Sequence, residues 1–253
     1  MKQKIKNALV SLSDKTELTP ILKVLKKFKI KIISSGGTYS SIKKLGYDCL
    51  EVSEYTGFKE MLDGRVKTLH PKIHAGILHD RDNKKHKREM NKEKFPAIDL
   101  IIVNFYPFQN AVLDSKNQRK IIENIDIGGP SLVRSAAKNY NDVVVVTKIS
   151  QYKELIEELN LFKGGTSLKF RERMSREAFG ETASYEAKIY NYFNHISKQN
   201  FSDKLIVNAN LIQPLRYGEN PHQIGAIYGN QKDFNLNKLQ GKDLSYNNYN
   251  DIF

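Results

Sequence analysis

Cysteine and tryptophan are nearly absent from this 253-residue sequence, which has one cysteine and no tryptophan. Cys49 has no internal partner for a disulfide, which excludes a disulfide-stapled fold and favours a reducing compartment. No apolar run approaches the roughly 18 to 20 residues that a helix needs to span a bilayer. The first residues lead into an apolar strand pattern rather than a signal-peptide core, so we expect a cytoplasmic protein that does not bind membranes.

Acidic residues are outnumbered by basic ones: 28 aspartates and glutamates against 41 lysines and arginines, for a formal net charge of +13. A basic field of this kind attracts polyanions. The lysines are nevertheless scattered over predicted helix faces, and no nucleic-acid-binding motif accompanies them. We therefore expect small anionic ligands and no nucleic acid, with salt-sensitive retention of DNA as the observation that would favour the alternative.

Strand-like and helix-like segments alternate through the first 150 residues, starting with a strand at Asn7–Leu12. Continuous apolar runs, such as Ile98 to Val103, predict strands that are buried on both faces. We therefore predict an α/β fold in which helices flank a parallel sheet. The other expected elements are helices at 17–28, 38–45 and 82–92 and strands at 30–34, 48–52 and 143–147.

The last hundred residues change character. A helical pattern runs from 168 to 198, and we expect Gly180 to break or kink it. Beyond residue 200 the periodicity fades, and about 50 irregular residues seldom form a core of their own. We therefore predict a domain over 1–200 followed by a short, incomplete segment over 201–253.

Two loops after successive predicted strands have the composition of a phosphate site. Hydroxyl groups, a lysine and the unpaired amides of a helix N-terminus suit a phosphate dianion, although the first loop alone would be read as an ordinary N-cap. Paired glycines let backbone amides approach a ligand, and both loops would open at the carboxyl ends of parallel strands. The candidate residues are Ser11, Ser13 and Lys15 in the first loop and Ser35, Gly36, Gly37 and Thr38 in the second.

A third segment offers two cations and a hydroxyl, from Arg65, Lys67 and Thr68. Gly64 and Pro71 keep this segment from forming one helix, and such a loop can bind a phosphate and an adjacent reacting oxygen. Three nearby histidines, at 70, 74 and 79, have spacings that resemble metal ligands. We predict no metal site, because Pro71 would break any helix that aligned them and no cysteine or carboxylate cluster completes the set.

Two further loops complete the candidate site. Asn104 and Tyr106 follow the strand that ends near Val103, where an aromatic residue alone would be read as core. Asp126, Ile127 and Gly128 open a helix that continues to Lys138. The aspartate alone would be read as an N-cap, but the glycine amides behind it are also suited to an oxyanion site.

Taken together, these segments resemble a known family. The stretches SDKT, SGGT, EMLDGRVKTLHPKIHAGIL, NFYPF and DIGGPSLVRSAAKN are similar, in order and spacing, to the N-terminal half of the bifunctional purine enzymes with formyltransferase and IMP cyclohydrolase activities. The similarity covers residues 8 to about 200. It implies a methylglyoxal-synthase-like fold that binds phosphate at the strand ends.

The resemblance implies closure of 5-formamidoimidazole-4-carboxamide ribotide (FAICAR) to IMP, by a homodimer and without a metal or organic cofactor. Lys67, Tyr106, Asp126 and Lys138 would be catalytic. Asp126 and Lys138 would lie near each other and move protons, while Lys67 stabilises the formyl oxygen. The remaining candidates would bind the substrate, with Asn104 orienting the reacting groups.

The segments LRYGENPHQ and GKDLSYNN resemble the start of the transformylase half, where Arg216 and Tyr217 would help to hold the aminoimidazole ribotide. The sequence stops at Phe253, before the part that would supply the transformylase's catalytic groups and its 10-formyltetrahydrofolate site. We therefore expect no formyl transfer. The main alternative is a nucleotide-sensing module of the same fold without catalysis, and methylglyoxal synthase is argued against by DIGGPS and RVKTLHP.

Overall fold

A sheet buried on both faces forms the centre of the molecule. The computed structural model describes residues 3–197, 201–229 and 240–252. In the strand Asn7–Leu12, Ala8 and Val10 pack into one hydrophobic cluster and Leu9 packs into another. Because successive side chains of a strand point to opposite faces, a strand that is apolar at both sets of positions is covered on both sides.

The five strands of this sheet are all parallel, and they confirm the predicted α/β fold. In chain order they are β2 (Asn7–Leu12), β3 (Lys31–Ser34), β4 (Leu50–Glu51), β5 (Leu100–Asn104) and β6 (Val144–Val146), while β1 (Gln3–Lys4) and β7 (Gly165–Thr166) form a separate antiparallel pair. The spatial order is β4-β3-β2-β5-β6. The strand order therefore reverses between β2 and β5, and in open α/β sheets the ligand crevice lies at the carboxyl ends of the strands at such a point.

Helices connect the strands and cover both faces of the sheet. In chain order they are α1 (Leu18–Lys27), α2 (Gly36–Lys44), α3 (Val52–Thr56), α4 (Pro71–Leu78), α5 (Lys84–Lys92), α6 (Phe108–Asp114), α7 (Gln118–Glu123), α8 (Gly128–Lys138), α9 (Tyr152–Leu161) and α10 (Leu168–Ser197). Apolar residues of α1, α2 and α9 pack on one face, and those of α3, α4 and α8 pack on the other.

Two expectations about helix boundaries were wrong. The helix α10 runs through Gly180 without a break. A side chain at that position would meet nothing within 4 Å, so the glycine is under no packing constraint. Pro71 begins α4 rather than preventing it, because the first helical turn needs no proline N–H. The end of α10 expected at Lys198 lies outside the described residues.

The chain divides into two compact units, Met1–Ile189 and Tyr190–Phe253. Within the second unit, β8 (Asn210–Pro214) pairs antiparallel with β9 (Ala226–Gly229), and α11 (Tyr246–Ile252) follows. The boundary expected near residue 200 adjoins 198–200, which lie outside the described residues, as do 230–239 and Phe253. Within the described parts of the chain, we find no helix with the length and apolar character to cross a bilayer.

A buried arginine ties α10 to the end of the sheet. Arg171 is 2% exposed, and its guanidinium donates hydrogen bonds to the carbonyl oxygens of Tyr140, Asn141 and Thr166 at 2.8 to 2.9 Å. These three carbonyls belong to the turn that follows α8 and to β7. Because buried carbonyls without partners are costly, Arg171 satisfies groups that no apolar residue would satisfy.

We predict that Arg171→Ala lowers the free energy of unfolding by about 3 kcal/mol, because it creates a cavity and leaves three carbonyls unpaired. Arg176→Ala, on an exposed face of the same helix, is the matched control and should change it by no more than about 0.5 kcal/mol. Urea denaturation measures both. Equal effects of the two substitutions would contradict the assigned role of Arg171.

Candidate active site

The loops at the strand-order reversal are joined by one asparagine. Asn104, at the end of β5, accepts hydrogen bonds from the backbone amides of Ser13 and Asp14 at 2.7 and 3.0 Å, and its Nδ2 donates to the carbonyl of Asp14 at 2.7 Å. The whole side-chain amide is therefore used to shape the loop after β2. Asn104 was expected to orient reacting groups, whereas its contacts here set the position of the first phosphate loop.

The N-terminus of α2 carries an unused serine hydroxyl. Ser35 is the N-cap residue and only 9% exposed, yet its side chain caps no amide and has no hydrogen bond to any described residue. Gly36 follows with φ of 54°, a conformation that favours glycine. The first amides of a helix have no partner within it, so this end of α2 presents a free hydroxyl together with free N–H groups.

Thr38, expected to donate to a phosphate, is committed elsewhere. Its hydroxyl donates to the carbonyl of Leu12 at 3.0 Å and accepts from the amide of Leu12 at 2.9 Å. Because a hydroxyl has a single proton, this side chain has none left for a ligand. Its role is to fasten the start of α2 to the end of β2.

Two lysine ammonium groups lie beside the same helix end. A Cβ at Gly36 would lie 3.3 Å from Nζ of Lys67, and one at Gly37 would lie 3.9 Å from Nζ of Lys15. Lys15 also donates to the carbonyl of Ser13 at 3.2 Å. Two cations at the positive end of a helix dipole repel one another and favour an anion between them.

Lys67 is held by a carboxylate that follows from the fold of its own loop. Its Nζ lies 2.9 Å from Oε1 of Glu60, and an antiparallel bridge between Met61 and Val66 brings the two residues together. Gly64 lies under this pair with φ of 91°, and a Cβ there would be 2.6 Å from both Oε1 of Glu60 and Cε of Lys67. Only glycine fits this backbone and this gap.

A second helix N-terminus carries the carboxylate. The amide of Gly129 donates to Oδ1 of Asp126 at 2.8 Å, so the aspartate does cap α8, as a capping residue would. A Cβ at Gly129 would lie 2.4 Å from Oδ2 of Asp126, and one at Gly128 would lie 2.8 Å from the hydroxyl oxygen of Thr68. The two glycines therefore let a carboxylate and a hydroxyl lie against the backbone of α8.

The carboxyl of Asp126 is partly withdrawn from water. Burial raises its pKa, while hydrogen bonds from the backbone amides of Gly129, Gly128 and Tyr106 oppose that rise. The Tyr106 side chain, in contrast, is 55% exposed, so its hydroxyl is open to a ligand. Asp126 thus fixes the backbone of the loop that carries Tyr106.

One short segment joins the two helix ends. Lys67 lies at the start of α2, and its neighbour Thr68, which is 7% exposed, lies against the start of α8. Consecutive Cα atoms are about 3.8 Å apart, so these adjacent residues tie the lysine cluster and the Asp126 cluster to one place. The hydroxyls of Ser11 and Ser13 make no hydrogen bond within the described parts of the chain, and Ile127 is 58% exposed beside the carboxylate.

Two expected members lie outside this arrangement. Arg65 forms an ion pair with Glu123 of α7 at the surface and does not contact the phosphate loops. Lys138 is exposed at the far end of the 11-residue helix α8, about 15 Å from its start at a rise of about 1.5 Å per residue. The nearness of the Lys138 side chain to Asp126 stays a prediction, and the position of Lys138 suits a cation at a helix C-terminus.

The three histidines have separate local roles, and Nδ1 of His74 lies 3.1 Å from the hydroxyl oxygen of Ser135. His70 accepts a hydrogen bond from the amide of Lys72 at the start of α4, and Nδ1 of His79 lies 3.0 Å from the carbonyl of Ala75. Over the described residues, no group of three histidine, cysteine, aspartate or glutamate side chains has an arrangement that would hold a metal ion.

In the second unit the two transformylase-like motifs meet. The amide of Arg216 donates to the carbonyl of Leu244 and the amide of Tyr246 to that of Tyr217, both at 3.1 Å. The Arg216 guanidinium lies 4.9 Å from the Tyr217 ring centroid. Hydrogen bonds from Ser245 and Arg216 lower the pKa of the Tyr217 hydroxyl.

Comparison with known proteins matches both parts of the chain. A profile described as MGS-like domain matches residues 17–131, and one described as AICARFT/IMPCHase bienzyme matches residues 136–253. The bifunctional purine biosynthesis protein PurH of Bradyrhizobium diazoefficiens is 46% identical over 98% of this chain. Residues 17–131 are thus an MGS-like domain, and residues 136–253 match the AICARFT/IMPCHase bienzyme family.

Further relatives define how much of the family's sequence is present. The PurH protein of Prochlorococcus marinus is 47% identical over 97% of this chain. The chain spans about half the length of these relatives, 48% of the first and 47% of the second. The crystal structure of ForH superimposes with a TM-score of 0.67 at 26% identity, covering 75% of this chain and 97% of ForH.

Two residues of this candidate site were not predicted from the sequence. Glu60 pairs with Lys67, and Tyr185 of α10 contacts the Asp126 loop. A signal existed for Glu60, because Gly64 stands between an acid and a base that a tight loop would bring together. None existed for Tyr185, which is 59 residues away from Asp126 and reads as one more core position of a long amphipathic helix.

We predict that Gly129→Ala raises the pKa of Asp126 further, because the new methyl group would displace the carboxylate from the amide that stabilises its charged form. Gly180→Ala is the matched control, since its Cβ meets nothing and should add about 0.5 to 1 kcal/mol of helix stability. Carbon-detected NMR titration of the carboxyl measures the effect. The same midpoint in both variants and wild type would contradict the assigned contact.

Proposed function

We propose that this chain is an IMP cyclohydrolase, a hydrolase of cyclic amidines that closes the formamido ribotide FAICAR to IMP with loss of water. The observation that carries the proposal is the pairing of two ammonium groups at the start of α2 with a half-buried carboxylate at the start of α8. A nucleotide monophosphate has a dianion at one end and reacting groups at the other, which suits these two clusters. The bifunctional relatives support the same activity.

The phosphate would be bound at the start of α2. Lys15 and the hydroxyl of Ser35 lie there, together with the free amides of Gly36 and Gly37. The hydroxyls of Ser11 and Ser13 complete this set. Charge-assisted hydrogen bonds of this kind are short and strong, and the helix dipole adds to them. Arg65 would have to break its ion pair with Glu123 to bind the phosphate, so we assign it to the edge of the phosphate site.

Cyclisation needs help because an amide nitrogen is a poor nucleophile. The carboxamide nitrogen attacks the formyl carbon, a C–N bond forms, and the carbinolamine then loses its hydroxyl as water. Both groups are on one small ring, so the substrate supplies proximity itself. The protein must therefore supply a proton acceptor for the nitrogen and donors for the oxygen.

Asp126 would accept the carboxamide proton, since a raised pKa brings a carboxylate closer to the basicity that general-base catalysis favours. Lys67, with the amides at the start of α8, would stabilise negative charge on the formyl oxygen. The exposed Tyr106 hydroxyl would orient the reacting groups. The proposal assigns no step to Lys138, because it lies at the opposite end of α8.

Several accompanying assignments belong to the same proposal. The reaction would use no metal or organic cofactor, and the enzyme would act in the cytoplasm as a homodimer. Residues 1–200 would form the cyclohydrolase, and residues 201–253 would form the beginning of a transformylase domain. Arg216 and Tyr217 would belong to the ribotide site of that domain, which would use 10-formyltetrahydrofolate in a full-length relative.

A nucleotide-sensing module without catalysis is the second candidate. It would need the phosphate loops but would have no use for a carboxyl that is half withdrawn from water beside two glycine amides. That carboxyl favours the enzyme. Binding of IMP without turnover of the formamido ribotide would favour the sensor instead.

A direct assay tests the activity. We predict that the purified chain converts the formamido ribotide to IMP, followed by ultraviolet absorbance, because both clusters lie within its first unit. We predict no product from the unformylated ribotide and 10-formyltetrahydrofolate. Failure of the first reaction, with the protein folded, would refute the cyclohydrolase assignment.

Substitution of the two reacting groups tests the mechanism. We predict that Lys67→Ala and Asp126→Ala each reduce kcat by at least about tenfold, since each removes a group that acts on charge developing in the transition state. Steady-state kinetics and circular dichroism together separate this effect from unfolding. Normal kcat in both variants would refute the assigned roles.

A phosphate anchor should behave differently from a catalytic group. We predict that Lys15→Ala mainly raises KM, because an anchor holds ground state and transition state equally. Lys23→Ala, an exposed lysine on α1, is the matched control for the loss of one positive charge. A loss confined to kcat in Lys15→Ala, or equal KM in both variants, would contradict the anchor role.

A further inference from the structure

Tyr185 connects the longest helix of the first unit to the backbone of the candidate site. Its hydroxyl accepts a hydrogen bond from the amide of Asp126 at 2.8 Å and lies 3.4 Å from the carbonyl oxygen of Asn124, to which it donates. Burial raises the pKa of this hydroxyl to about 12, so it stays neutral and able to do both. One side chain therefore holds both ends of the turn between α7 and α8.

The ring of Tyr185 acts on a second loop. It lies 5.1 Å from the ring of Phe105 and 6.5 Å from that of Phe108, measured between centroids. These two residues lie on either side of Tyr106 and Pro107, in the loop that carries the proposed orienting hydroxyl. Tyr185 thus contacts both segments that present proposed catalytic groups, and it is itself 5% exposed and beyond reach of a ligand in the open site.

We propose that Tyr185 is a positioning residue for the cyclisation, which sets the orientation of the Asp126 carboxylate through its hydroxyl and packs against the Tyr106 loop through its ring. The expected change in kcat rests on the proposed function, whereas the expected change in hydrogen exchange of the Asp126 amide does not. A donor or base displaced by a fraction of an ångström loses much of its effect, whereas substrate binding through the distant phosphate cluster does not depend on it.

The decisive variant removes only the hydroxyl. Tyr185→Phe retains the ring and its contacts with Phe105 and Phe108 but leaves the Asp126 amide and the Asn124 carbonyl without this partner. Tyr55→Phe is the matched control. The Tyr55 side chain is also buried, and its hydroxyl donates to the carbonyl of Pro96 at 3.2 Å. Pro96 precedes β5, so this contact lies at the amino ends of the strands.

We expect Tyr185→Phe to lower kcat by about tenfold with KM changed by less than about twofold, and Tyr55→Phe to leave both near wild type. A general loss of packing or stability would affect the two variants alike, so the difference in kcat separates positioning from structural support. Equal kcat in Tyr185→Phe and wild type, or equal losses in both variants, would overturn the proposal.

The structural consequence is measured separately by amide hydrogen exchange in the absence of substrate. We expect the Asp126 amide to exchange at least about tenfold faster in Tyr185→Phe than in wild type or Tyr55→Phe, because its acceptor is gone. If wild type shows no cyclohydrolase activity, the proposed function fails while this measurement still decides the positioning role. Unchanged exchange would overturn it whatever the activity.

Discussion

The structure depends on the meeting of helix N-termini at the carboxyl edge of a parallel sheet. The strand order reverses between β2 and β5, and in open α/β sheets a ligand crevice lies at the carboxyl ends of the strands at such a point. The starts of α2 and α8 face this region with unpaired amides and the positive ends of their dipoles. The charged side chains of the site relate to this positive potential in two ways. At one helix end lysines add cations for an anionic ligand, and at the other the protein supplies a carboxylate.

The positive ends of the two helix dipoles are balanced in different ways. At α8 the carboxylate of Asp126 accepts from a helix amide, so the charge is balanced within the protein. At α2 the capping hydroxyl of Ser35 is unused and two ammonium groups lie nearby, so the charge is left for a ligand. Glycines make both arrangements feasible, since a side chain at Gly64 or Gly129 would collide with the groups that the site brings together and Gly36 has a positive φ that favours glycine.

Residues near the site divide into those that face a ligand and those that hold the loops. Thr38 and Asn104 have polar side chains of the type expected to bind a nucleotide, yet their hydrogen bonds fasten backbone to backbone. Tyr185 does the same from α10. Such buried polar contacts are what keep irregular loops in one conformation, which the proposed chemistry requires.

The sequence by itself determined the α/β class, the five strands of the parallel sheet and the positions of α1, α2, α5, α8 and α10, because hydrophobic periodicity and helix-opening residues are local signals. Only the tertiary structure decided which polar side chains face a ligand. It gave Thr38 and Asn104 backbone partners and paired Glu60 with Lys67. A hydroxyl or amide side chain looks the same in a sequence whether it binds substrate or backbone. Its partner can lie as far as 91 positions away in the chain, as Ser13 does from Asn104.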